Sequence, residues 1–177
     1  MALRHRECTS VYNSQNRPFP VYCDFDSEVG YVWALIQSHS LANNDQFKFK
    51  RFGVDGMINW NAYRLSLSRM QSIANVSTHL RATCNFPVDG LLYTDYARAK
   101  LVGHNFFGVW QAKCRKYERI NIRGIECKEC TAPTWQVENE AWHLNSNYTG
   151  GSFNCDFDGT LGSELLTMSK TLAFTIA

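Results

Sequence analysis

The chain alternates between short apolar runs and turn-rich stretches, and the rhythm changes twice. Arg17-Pro18-Phe19-Pro20-Val21-Tyr22-Cys23-Asp24-Phe25-Asp26 sets two prolines ahead of aromatic and β-branched residues, which predicts entry into a strand. Ser27 to Gly30 reads as a turn. Tyr31-Val32-Trp33-Ala34-Leu35-Ile36-Gln37 is almost wholly apolar and predicts a central strand buried on both faces. Strand, turn and strand together predict a hairpin.

After Phe47 and Phe49 the period lengthens. Trp60, Tyr63, Leu67, Met70 and Ala74 recur at helical spacing, with Asn59 placed to cap the first turn, so a helix is expected over 60–74. Alternation then returns. Leu80, Ala82, Cys84 and Phe86 share one face of a strand, Pro87-Val88-Asp89-Gly90 supplies a turn, and residues 91–101 form the second strand of a hairpin. Phe106, Phe107, Val109 and Trp110 are expected in the core. Tyr117 to Ile125 predicts a further strand, with Gly124 at a bend. Residues 126–163 read as loop, and Leu165 to Ala177 is apolar without a clear period. No linker divides the chain, so a single domain over residues 1–177 is expected.

Composition narrows the class. Of 177 residues 45% are hydrophobic and 19% charged, enough apolar material for a folded core. The net charge of +2, from 18 basic and 16 acidic residues, is too small for a dedicated nucleic-acid binder, and no nucleic-acid partner is expected. No apolar run reaches the roughly 18–20 residues that span a bilayer. Met1 is followed by no apolar leader, so a secreted protein is expected to have lost its signal segment ahead of this sequence.

Seven cysteines, at 8, 23, 84, 114, 127, 130 and 155, imply either disulfides in an oxidising compartment or thiolates on a metal. The odd number leaves at least one as a buried thiol, an intermolecular bridge, or a sign that the chain lacks part of its parent. Asn75-Val76-Ser77 and Asn147-Tyr148-Thr149 are glycosylation triplets, at a frequency that chance alone supplies.

Three blocks in order resemble fibrinogen C-terminal-type domains. The first is Phe19-Pro20-Val21-Tyr22-Cys23-Asp24-Phe25, a turn, and Val32-Trp33-Ala34-Leu35-Ile36-Gln37. The second is Trp60-Asn61-Ala62-Tyr63 with its helix. The third runs from Leu80-Arg81 through Asp89-Gly90 to Tyr96-Ala97-Arg98. The resemblance covers about residues 8–101. It implies an α+β fold, with a twisted mixed or antiparallel sheet, a flanking helix and long loops. It also implies a Cys8–Cys23 disulfide. The family's calcium loop and aromatic ending have no counterpart, so the domain is expected to be truncated or divergent at its C-terminal end.

The candidate chemistry is sparse. Cys127-Lys128-Glu129-Cys130 has zinc-knuckle spacing, with Cys114, Cys155, His104 or His143 as further ligands, but disulfides are the expected outcome. Asp156, Asp158, Thr160 and Glu164 offer about four oxygens where calcium takes six to eight, so a calcium site would be weak and no other cofactor is expected. Lys113, Arg115, Lys116, Arg119 and Arg123 form a basic strip that an anionic glycan or phosphate could use, although a solvated face explains it as well.

No catalytic motif occurs, and His5, His39, His79, His104 and His143 are scattered. No catalytic residue is therefore assigned, and the ligand-binding residues remain unassigned. The sequence points to a secreted, lectin-like recognition module for a glycan or an extracellular protein. The alternatives are a self-assembling matrix module, here a homo-oligomer, and an enzyme of unrecognised type.

Overall fold

The computed structural model describes residues 5–13, 15–40, 42–43, 58–102, 110–122, 124–136, 143–144, 153 and 172–176. These carry ten strands and two short helices. The strands are β1 (His5–Tyr12), β2 (Pro18–Asp24), β3 (Trp33–His39), β4 (Ala62–Arg64), β5 (His79–Cys84), β6 (Tyr96–Lys100), β7 (Trp110–Ile122), β8 (Ile125–Gln136), β9 (His143–Leu144) and β10 (Leu172–Ile176). The helices are α1 (Leu67–Ala74) and α2 (Phe86–Asp89). Strand order is β1-β2-β3-β10-β5-β6-β7-β8-β9, with β4 on β3 and every pairing antiparallel. The expected α+β class is therefore corrected to a mostly β fold.

The helix expected over 60–74 shrinks to α1. Asn59 makes a turn instead of a cap: its side-chain oxygen accepts from the Asn61 amide at 3.0 Å, and its carbonyl from the Ala62 amide at 2.9 Å. Residues 62–64 then pair with Gln37–His39. β2 meets only Ala34 and Trp33, so the rest of that β3 edge is open to β4. Ladder bonds to that edge outweigh three further residues of helix. Trp33, Tyr63 and Met70 are fully buried as expected, while Trp60 and Leu67 pack against the core only in part.

Two further expectations change. Residues 125–136 are not loop but β8, joined to β7 by a tight turn in which Gly124 has φ +81, the left-handed geometry such hairpins need. The unpatterned C-terminal stretch supplies β10, which lies between β3 and β5. The strand pair β5–β6 forms as expected, but α2 and residues 90–95 connect it, with Asn85 at φ 53 starting the short helix.

The apolar core lies on one side of the sheet. Leu80, Ala82 and Cys84 of β5 and Ala97 and Ala99 of β6 join Met70 and Ile73 of α1 there. Trp33 and Tyr96 are just as buried but stand outside this cluster. They belong to a second, charged interior.

Candidate functional site

The alternation that turns Leu80, Ala82 and Cys84 toward α1 turns Arg81 the other way, and Arg81 is 0% exposed. A buried guanidinium needs partners for all its donors. Arg81 Nε donates to Thr175 Oγ1 at 2.9 Å, Nη1 to Ser27 Oγ at 2.9 Å and Glu28 Oε2 at 3.2 Å, and Nη2 to Asp24 Oδ2 at 2.6 Å. Its carbon lies 4.4 Å over the Trp33 ring and 5.3 Å from that of Phe86. Among the described residues Trp33 Nε1 has no hydrogen-bond partner, and its ring is held by packing and by the cation above it.

Asp24 and Glu28 bracket the loop between β2 and β3. Asp24 Oδ1 accepts the Asp26 amide at 3.2 Å and the Ser27 amide at 3.0 Å, and Oδ2 also takes the Ser27 hydroxyl. Burial alone would raise the Asp24 pKa, but hydrogen bonds from Ser27 and Arg81 and the charge of Arg81 outweigh it and hold the carboxyl below its ordinary value. Glu28 receives Arg81, Arg98 and the Tyr96 hydroxyl, the last at 3.2 Å. Burial, followed by the charge of Glu28, pushes the Tyr96 phenol upward. Tyr96 therefore remains a neutral donor.

The register extends this cluster across the sheet. Thr175 of β10 stands opposite Arg81 of β5, Arg81 opposite Arg98 of β6, Arg98 opposite Arg119 of β7, and Arg119 opposite Lys128 of β8. Like charges directly opposed across strands repel. Here carboxylates and rings separate them. Arg98 Nε donates to Glu118 at 2.8 Å, and Arg119 reaches Glu126 at 2.9 Å. Arg98 lies 5.2 Å from the Tyr31 ring, which stacks on Trp33 at 5.2 Å, and Arg119 lies 4.1 Å over Tyr93. Exposure rises along the row, from 0% at Arg81 to 23% at Arg98 and 27% at Arg119, and Lys128 is exposed.

The loop that Asp24 and Glu28 anchor presents apolar side chains outward: Phe25, Val29 and Val32 are exposed, Val29 at 99%. Leu92 and Tyr93, before β6, are exposed as well, and Tyr93 packs on Tyr96 at 5.1 Å. Comparison with protein-family models, with curated proteins and with solved structures returns nothing. The chemistry of the site therefore rests on its own residues.

Both oxygens of Asp24 and of Glu28 are engaged by donors, so neither carboxylate is left open as a general base or a metal ligand. Among the described residues no three His, Cys, Asp or Glu side chains are grouped to hold a metal, and no helix is long and apolar enough to cross a membrane.

Cys127 and Cys130 are bonded to each other, which removes them as zinc ligands. Residues three apart point to opposite faces of a regular strand. The left-handed Glu129, at φ 50, turns the two cysteines together. Cys23 and Cys114 are also disulfide-bonded, and Cys84 is a buried thiol.

The β1–β2 register sets Cys8 opposite Val21 and Cys23 opposite Arg6, so the two cysteines are diagonal neighbours on adjacent strands. The Cys8 side chain, Cys155, His104 and the calcium candidates Asp156, Asp158, Thr160 and Glu164 lie outside the described residues. So do the side chains of Lys113, Arg123 and His143. Of the basic strip, Arg115 and Arg119 are part-exposed, Lys116 is exposed, and Arg119 alone enters the row.

Alternation over 80–86 marks the apolar face that Leu80, Ala82 and Cys84 form on β5, but it assigns no partner to Arg81 on the other face. The available signal was Asp24 and Glu28 beside Tyr31 and Trp33. Acids that flank a buried aromatic strand need cations on a neighbouring strand.

Proposed function

We propose that this chain is a non-catalytic recognition module that binds a glycan or an extracellular protein ligand. The observation that carries the reading is the ion network under the 25–32 loop, in which donors engage both oxygens of Asp24 and of Glu28. Charges whose donors and acceptors are all engaged hold a backbone in place but perform no proton transfer. The backbone they hold presents Phe25, Val29 and Val32 to solvent. Exposed apolar side chains on a restrained loop lose little conformational entropy on binding. Disulfides at Cys23, Cys114 and Cys127–Cys130 support an oxidising, extracellular setting, and the fibrinogen-type resemblance of residues 8–101 supports recognition over catalysis.

The test is binding of the purified chain to a glycan array and to intact cell surfaces, with Val29→Asp as the control. Binding by the wild type that the substitution abolishes, at an unchanged melting temperature, supports the reading. A wild-type chain that binds neither surface, but assembles into disulfide-linked oligomers, points instead to a matrix module.

A further inference from the structure

We infer that the open end of the arginine row, Arg119 and Lys128 with Tyr93 beside them, binds a linear sulfated glycan. This deepens the recognition reading and rests on it. Neighbouring strands lie about 4.8 Å apart, so the row repeats cations at roughly that spacing across the sheet. At its closed end the charge is consumed internally, because Arg81 is buried between Asp24 and Glu28. At its open end the balance differs. Among the described residues Arg98 is shared by Glu28 and Glu118, Lys100 lies 3.8 Å from Glu118 and Arg119 pairs with Glu126, while Lys100 and Lys128 are exposed.

Arg119 lies 4.1 Å over the Tyr93 ring, which steadies its guanidinium for a bidentate anion. Tyr93 is itself exposed, so its ring and hydroxyl are open to contact with a sugar. Glu126 occupies one side of Arg119, at 2.9 Å. A sulfate that displaces this partly exposed carboxylate exchanges one screened ion pair for another and loses little.

The favoured polyanion is a glycan rather than a nucleic acid for two reasons. The chain carries a net charge of only +2, and its disulfides belong to a compartment where acidic glycans are displayed.

The experiment is titration of the full chain with a size-defined heparin oligosaccharide and with its desulfated, N-acetylated counterpart, at low and high salt. The sulfated form is expected to bind, and to weaken as salt is raised. Lys128→Glu, at an exposed position, is expected to lower affinity about tenfold, and Arg119→Gln by a similar factor. Glu126→Gln is expected to raise it severalfold, which a purely structural Arg119–Glu126 pair would not do.

Equal affinity for the desulfated chain, or no effect of Lys128→Glu, overturns the inference. Equal or tighter binding of a single-stranded oligonucleotide overturns the glycan assignment. If the sulfated chain does not bind but Val29-dependent binding to other glycans or to cells persists, this inference alone fails. If no binding of any kind occurs, the recognition reading fails with it.

Discussion

The two sides of the sheet are equally dry but are built on opposite principles. Toward α1, Met70, Ile73, Leu80, Ala82 and Cys84 interlock as apolar surface. On the far side Arg81, Asp24, Glu28, Trp33 and Tyr96 bury charge against charge and cation against ring. Apolar packing tolerates small changes of volume, which leave no charge or hydrogen-bonding group stranded. A buried ion cluster is less tolerant, because removal of one member strands the others without water or counter-charge. The apolar side supplies general adhesion. The charged side ties a particular loop to a particular strand.

The sharpest way to break this contrast is to cut into each side in turn. Arg81→Ala should cost about 3–5 kcal/mol, since it leaves Asp24 and Glu28 buried with fewer partners. Replacing the whole cluster, as Arg81→Met with Asp24→Leu and Glu28→Leu, should recover much of that loss while loosening the loop. Urea unfolding of the single and triple variants measures both effects.

On the apolar side, Ile73→Val should cost only about 1 kcal/mol, read from the same unfolding curves. If Arg81→Ala proves as mild as Ile73→Val, the two sides do not differ in the way described.

Acid sharpens the comparison further. Asp24 has a folded pKa below its ordinary value of 3.8, so its contribution to stability is full above that value. It is lost as pH falls through the lower folded value. Unfolding measured from neutral pH downward should therefore show stability falling in that acid range, and the fall should be shallower in Asp24→Asn. The smallest effect belongs to the open end of the row. Glu126→Gln should change stability by less than about 1 kcal/mol, because this pair is solvated, in contrast to the inner pairs.

Legibility followed the same division. Hydrophobic periodicity is a local signal, and it sufficed for β2, β3, β5 and the core half of α1. It misled at residues 60–65, where Trp60 and Tyr63 sit at helical spacing but the free edge of β3 recruits residues 62–64 as β4. It was silent for β10, whose partners β3 and β5 are some ninety residues or more away in sequence, at pairs such as Thr175 with Arg81.

The charged row was illegible for a related reason. The basic residues from 113 to 123 read as a strip along one strand, whereas the structure runs its row across strands, through Arg81, Arg98, Arg119 and Lys128. Register alone sets that row, and register is a property of strand pairs, not of any one segment.

Buried charge holds the 25–32 loop to the sheet. Amide hydrogen exchange of the wild-type chain tests this most directly, at the Ser27 amide that Asp24 accepts. Protection at Ser27 should be close to that of the β5 amides, with opening only as the sheet opens. Exchange at Ser27 as fast as in an unstructured peptide, while β5 stays protected, would contradict it.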